Sequence, residues 1–222
     1  YKDTITLPFI SGGYQIAWEC GNRNAIIDNI DDADDVGSSL IMNIPMTTVE
    51  YFLPTVVWCE YFDTLSIGDE SDVGATAWTT TCAAGPAPPN NCGLNDGSPN
   101  DYFEVRSNPI PPLDYTGKEY EGREVDNEAV WTSEAIDISS YASGVRISME
   151  LSENSYDNGA DYIEAYYKID GGAETALTNG LQSGGFNTAT ATATALIGTT
   201  LEIVVYVMNN GGSDEGRFDD IL

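Results

Sequence analysis

The chain has 222 residues, 36 Asp plus Glu against 8 Lys plus Arg, a formal charge of −28 and no histidine. A surface of that sign repels nucleic acid phosphate and anionic lipid, which excludes both as partners, and without histidine there is no Ser/His/Asp or Cys/His nucleophile. Hydrophobic residues at 41% and thirteen tyrosines still provide a core, while no apolar run approaches the ~20 residues that insert through a bilayer.

With Tyr at its head, the chain is expected to be a processed or excised part of a longer polypeptide. Residues 13–30 (GYQIAWECGNRNAIIDNI) and 200–221 (TLEIVVYVMNNGGSDEGRFDDI) share one pattern: an apolar alternating run, an Asn/Gly-rich loop, then Ile-Asp-Asn-Ile or Phe-Asp-Asp-Ile. The interval between the copies is too long for a solenoid repeat and suits one sizeable β domain. Residues 1–30 therefore read as closing strands of a preceding repeat, or as strands shared between subunits. Residues 31–48 read as an acidic linker and 49–222 as a complete domain.

The segment DNIDDADDVG (28–37) is a solvated charge run or a calcium site. Asp32 and Asp34, followed by Gly37, supply closely spaced hard oxygens, although the full D-x-D-x-D-G loop and its downstream Glu are missing. Four cysteines without C-x-x-C spacing or histidine argue against zinc and for disulfides outside the cell. Cys82 and Cys92 flank the Pro/Gly/Asn segment AAGPAPPNN, so a local staple is expected there. Cys20 and Cys59 are the remaining pair, or else buried free thiols.

Farther along, strand patterns dominate. VRISMEL (145–151) places Val145, Ile147, Met149 and Leu151 on one face. DYIEAYYKID (161–170) alternates similarly and runs into Asp170-Gly171-Gly172, a hairpin signal because glycine accepts positive φ. TATATATA (188–195) offers a threonine face and an alanine face; the ordinary reading is a strand with small residues under a crowded neighbour, and one such strand is no ice-ordering array. LEIVVYVM (201–208) reads as a central strand. Short strands separated by Gly/Asn/Ser turns define an all-β, antiparallel two-sheet sandwich of jelly-roll type.

Trp58-Cys59-Glu60-Tyr61-Phe62-Asp63 opens the main domain, Gly68-Asp69-Glu70-Ser71-Asp72 and Trp78 follow, and Phe218-Asp219-Asp220-Ile221 closes it. This resembles the MAM-type domains and, more broadly, jelly-roll modules of secreted bacterial proteins, where a Cys-x-Phe-Glu start, an acidic loop before Trp and an Asp-Asp-Ile end recur. Residues 131–141 also resemble a phrase of Bacteroidota surface proteins. The chain departs from the start motif by one extra residue before Phe62 and by Asp63 in place of Glu, and its cysteines do not follow the animal pattern. The resemblance implies that first and last strands lie side by side and share a structural Ca2+ ion. Its ligands would be Asp63, Asp69 or Asp72, and Asp219 or Asp220.

Two carboxylates suffice for a glycosidase, and Glu150 with Glu164 could be such a pair, but outward charges on sandwich strands are ordinarily solvated. No catalytic residues are expected. The rival to a structural or adhesive module of a tandem-repeat surface or filament protein, with neighbouring copies as partners, is a carbohydrate-binding module whose partner is a polysaccharide. Its candidates are Trp78, Tyr102, Trp131, Tyr115, Tyr120 and Arg123, with core burial the competing reading for both tryptophans. Tyr115, Tyr120 and Arg123 fall in residues 109–127, whose Pro and Gly content predicts a long surface loop.

Overall fold

Alternating burial along the strands sorts the side chains into an inner and an outer set. In a computed structural model, the described residues are the strand backbones 13–19 and 22–30, together with 55–82, 92, 94, 101–107, 117–157 and 160–222. The chain divides into the units Tyr1–Val56 and Val57–Leu222. In the first, β1 (Gly13–Glu19) and β2 (Asn22–Ile30) form an antiparallel pair of their own, with an irregularity between Ala17 and Glu19.

The second unit holds β3 (Trp78–Cys82), β4 (Tyr102–Arg106), β5 (Glu119–Arg123), β6 (Ala129–Ser133), β7 (Ile136–Asp137), β8 (Val145–Asn154), β9 (Tyr162–Ile169), β10 (Thr175–Ser183), β11 (Thr188–Leu196), β12 (Thr200–Met208) and β13 (Glu215–Asp219). Every strand pairing is antiparallel. One sheet runs β3-β6-β12-β9-β10 and the other β11-β8-β13-β5-β4; β7 pairs with β12. Strand β10 joins them, pairing with β9 on both sides of a register shift between Ala176 and Leu181 and with β11 at Thr178. This is the all-β, two-sheet sandwich that the strand pattern predicts.

Local chemistry sets the corners. Asp170 (φ 53°) and Gly171 (φ 66°) turn β9 into β10, and the Gly172 N–H donates to the Ile169 carbonyl at 2.9 Å. Positive φ at consecutive turn positions matches the right-handed twist of the flanking strands. In β8, Ile147, Met149 and Leu151 are buried while Arg146 is exposed; in β11, Ala191 is buried and Thr190 exposed. Strand β12 lies between β6 and β9, as its near-continuous apolar run requires. Cys82 and Cys92 form a disulfide, and Cys59 is disulfide-bonded too; Cys20 lies outside the described residues. Disulfides fit an oxidising compartment.

The expected loop at 109–127 is corrected in part, because its described end contains β5, buried at Glu119 to Gly122. Two glutamates and a glycine in five residues disguise a strand whose inner face is Tyr120 and whose outer face is charged. Gly122 is required there by close approach. A Cβ would lie 2.9 Å from Val207 Cγ1 and 3.0 Å from Phe103 Cδ2.

Between the sheets sits one aromatic cluster. Phe62, fully buried, contacts Trp78 and Trp131 of one sheet at centroid distances of 5.9 and 6.2 Å, and Tyr120 and Phe218 of the other at 5.5 and 5.8 Å. Three of these contacts are edge-to-face, the arrangement that ring quadrupoles favour. Phe62→Ala should therefore cost ~3–5 kcal/mol. Chemical denaturation should show a lower midpoint with an unchanged slope.

Candidate functional site

Pairing of the opening segment with the chain's end creates an acidic seam. The Glu60 N–H donates to the Ile221 carbonyl at 2.9 Å and the Ile221 N–H returns to the Glu60 carbonyl at 3.0 Å. The resemblance directs attention to Asp63, but Glu60 occupies the bridge itself. Buried Glu60 accepts the Phe62 N–H through Oε1 at 2.7 Å and the Thr76 hydroxyl through Oε2 at 3.0 Å. Burial raises its pKa, and the Asp72 charge adds to that.

The predicted calcium ligands separate into different settings. Asp63 Oδ1 accepts the Lys118 N–H at 2.7 Å, and Lys118 Nζ donates to the Asp63 carbonyl at 2.6 Å. Asp69 Oδ2 accepts the Ser66 N–H at 2.7 Å, and Asp72 Oδ1 the Gly74 N–H at 2.9 Å, so these two carboxylates hold turns. Asp219 is 3% exposed and its Oδ1 has no hydrogen-bond partner. Burial pushes its pKa up to about 9, with the charges of Asp220, Asp63 and Glu119 adding to the rise. Asp219 thus shares an electrostatic neighbourhood with Asp63 and Asp220. Asp32 and Asp34 lie outside the described residues.

Glu119 comes to the seam from β5. Because Phe218 pairs with Tyr120, Asp219 falls beside Glu119 one step along the antiparallel strands. Glu119 is 2% exposed, and neither carboxylate oxygen has a hydrogen-bond partner. Arg217 Nε approaches Oε1 at 3.1 Å as an ion pair, off the line of a hydrogen bond. Burial pushes the Glu119 pKa up to about 8, against the lowering effect of Arg217.

The outer face of this sheet continues the charged pattern in two rows. One reads Tyr102, Arg123, Glu215 and Asn154; the other Glu104, Glu121, Arg217, Ser152 and Thr188. Fully buried Arg217 donates to Glu121 Oε2 at 3.0 Å and to Glu215, while Arg123 lies 3.3 Å from Glu215. Two guanidinium groups against Glu121 and Glu215 balance, and a protonated Glu119 keeps that balance without a third buried anion. Arg217 Nη1 and Ser152 Oγ are buried without hydrogen-bond partners.

Asp157, Asp161 and Asp214 bring carboxylate oxygens within 4.8 Å of one another, the one such group among the described residues. Asp161 is fully buried, and Asp214 has its pKa raised by burial and by the charges of Asp161 and Asp157. The sequence reading missed this trio. Its signal lies in two Asn/Gly loops that meet only through the sheet, YDNGAD (156–161) and NNGGSD (209–214). Here the Asn210 N–H donates to Asp161 at 3.3 Å.

Two sugar-stacking candidates are corrected by their burial. Trp78 and Tyr120 are 1% and 0% exposed, and the Tyr120 hydroxyl donates to the Phe103 carbonyl at 2.8 Å, because both rings occupy inward strand positions. Trp131 is buried with them. Tyr102 lies on the outer face, half-buried, with the Arg106 guanidinium 4.1 Å from its ring centroid. Arg123 donates to the Gly212 carbonyl at 2.7 and 3.1 Å. Tyr115 lies outside the described residues.

No protein-family model matches the chain, and no curated protein matches it. Among solved structures, the chain is similar to the carbohydrate-binding module CBM61, determined in complex with β-1,4-galactotriose (TM-score 0.47, 14% identity, 73% of this chain and 92% of that one). It is also similar to adhesin domains of Lys-gingipain from Porphyromonas gingivalis. The K1 domain gives a TM-score of 0.45 and 12% identity over 73% of this chain and 94% of that one. The K3 domain gives 0.45 and 11% over 74% and 96%. Among the described residues, no helix is long and apolar enough to cross a membrane.

Raised carboxyl pKa values fix the sign of a pH dependence. Folded Asp219 and Glu119 retain protons that the unfolded chain releases near pH 4, so their contribution is full below that pH and is lost as pH rises toward 8 to 9. Without divalent cations, melting temperature should fall between pH 5 and 9, and the fall should be shallower in Asp219→Asn. Parallel profiles for the two proteins would contradict the assignment to Asp219.

Proposed function

We propose that residues 57–222 form a calcium-stabilised, non-catalytic extracellular module with a structural and adhesive role in a tandem-repeat surface or filament protein. The observation that carries this reading is Asp219, a carboxylate buried without a hydrogen-bond partner for Oδ1 and surrounded by the charges of Asp220, Asp63 and Glu119. Hard carboxylate oxygens suit Ca2+, and bound Ca2+ supplies the positive charge that makes such a group compatible with burial. Asp219, Asp63 and Glu119 would have to draw together to hold it at the seam, whereas Asp157, Asp161 and Asp214 already have oxygens within 4.8 Å of one another. Asp69 and Asp72 are left to their turns. Ion binding would tie the opening segment to the last strand, a useful property in a module loaded through its ends. In the same reading, the β1–β2 pair closes a neighbouring repeat or joins an adjacent copy.

A polysaccharide-binding role is the second reading, favoured by the outer face around Arg217. Partly exposed Tyr102 and Arg123 lie there, an aromatic ring and a guanidinium group of the kinds that sugar rings and hydroxyls engage, above the buried Arg217 and Ser152, whose Nη1 and Oγ have no hydrogen-bond partner. Affinity electrophoresis through neutral polysaccharides would test it, with Arg123→Ala weakening any retardation.

For calcium, scanning calorimetry decides. At about 100 times its dissociation constant the ion should add ~2.7 kcal/mol, and chelator should remove it. Asp219→Asn should lose the seam contribution, and Asp214→Asn any contribution from the trio. An identical melting temperature in calcium and in chelator rejects calcium stabilisation.

A further inference from the structure

The other sheet carries an aromatic and acidic patch on its outer face. Along β9, Tyr162, Glu164 and Tyr166 alternate with the buried Ile163 and Ala165, and β12 sets Tyr206 opposite Glu164. Each tyrosine hydroxyl donates to a carboxylate: Tyr162 to Glu128 at 2.6 Å, Tyr166 to Glu164 at 2.5 Å, and Tyr206 to both oxygens of Glu174 at 2.9 Å. The Tyr166 and Tyr206 rings stand 5.6 Å apart at 89°. All three tyrosines are partly exposed, and Leu181, paired with Glu164 on the far side, is 52% exposed.

This arrangement selects among occupants. A phenol hydrogen-bonded to a carboxylate has a more electron-rich ring, which strengthens cation–π attraction. Three carboxylates set among three rings add charge complementarity for ammonium or guanidinium groups, while the neighbouring Lys168 is already engaged with Glu202 at 3.3 Å. Perpendicular rings offer no common plane on which successive sugar rings could stack, as a neutral polysaccharide would need. At this acidic patch a second copy of the chain is disfavoured, since its own formal charge is −28; the copy contact of the adhesive reading belongs to β1–β2.

We propose that Tyr162, Tyr166 and Tyr206, with Glu128, Glu164 and Glu174, form a docking surface for an arginine- or lysine-bearing segment of a partner protein. It deepens the adhesive reading by naming the partner's chemistry and rests on it, but does not depend on calcium. The probe is a synthetic Arg-Gly-Ser repeat peptide with three arginines, titrated into the full chain at physiological salt. There the Debye length of ~8 Å screens the distant charge of the protein.

Tyr166→Ser with Tyr206→Ser, which conserves net charge, should weaken peptide binding about tenfold, equivalent to ~1.4 kcal/mol. The corresponding Phe pair should lose less, because the rings remain. Glu70→Gln, which removes one charge from an exposed loop, should leave affinity unchanged. Calorimetry in calcium and in chelator, run on the same variants, keeps the two proposals separable: an unchanged calcium-dependent melting shift alongside lost peptide binding leaves the seam reading standing. The docking proposal is overturned if the Ser pair binds as tightly as the parent, or if Glu70→Gln weakens binding as much as the Ser pair does. It is also overturned if the patch retains a neutral polysaccharide and not the peptide.

Discussion

The fold depends on aromatic interdigitation across the sandwich, with Phe62 at the meeting point. Trp78 and Trp131 descend from one sheet and Tyr120 and Phe218 from the other; Phe62 belongs to neither and touches all four. Its φ of 57° lies in a region that bulky residues seldom occupy. The surrounding contacts must therefore hold it there. Glu60 contributes by accepting the Phe62 N–H while its own backbone pairs with Ile221. One short segment consequently fixes the spacing of the sheets and the closure of the chain's end.

That closure determines where charge is buried. Phe218 faces inward, so Arg217 and Asp219 must face outward on the central strand of their sheet, beside Glu121 and Glu119. In most sandwiches an outward face is solvated. Here Arg217, Glu121, Glu119 and Asp219 are all at or below 3% exposure. Burial without full pairing raises the carboxyl pKa values of Glu119 and Asp219 and leaves several polar atoms unsatisfied. The opposite sheet has the reverse character. Its outer tyrosines stay accessible, and their hydroxyls are engaged with carboxylates.

Alternation made the framework legible in the sequence. Val145 to Leu151, Asp161 to Asp170 and Leu201 to Met208 each reveal a buried face, and Asp170-Gly171-Gly172 reveals its turn. Residues 119–123 (EYEGR) did not, because one tyrosine carries the inward face while two glutamates and a glycine conceal the period. Candidate rings were harder still. Tyr120 and Trp78 have the composition of sugar platforms, and only strand parity shows that they point into the core. Grouping of acids was the least accessible property: Asp69 and Asp72 lie three positions apart yet hold separate turns, whereas Asp161 and Asp214 lie far apart in sequence and meet through neighbouring loops. Spacing along the chain measures proximity within a loop. The sheet register decides proximity between loops.

The formal charge of −28 connects these features. Surface carboxylates cost little when solvated and screened, so the total need not be compensated everywhere. Compensation is needed where carboxylates are buried, and the chain has few cations to provide it. Arg217 and Arg123 meet Glu121 and Glu215, Lys168 meets the half-buried Glu202, and the Lys118 ammonium donates to the Asp63 backbone carbonyl. Glu119 and Asp219 are left to retain protons or recruit a cation, and the tyrosine patch presents its acids outward. Under the two proposals, further positive charge would come from outside, as an ion at the seam and as a partner's side chains at the patch.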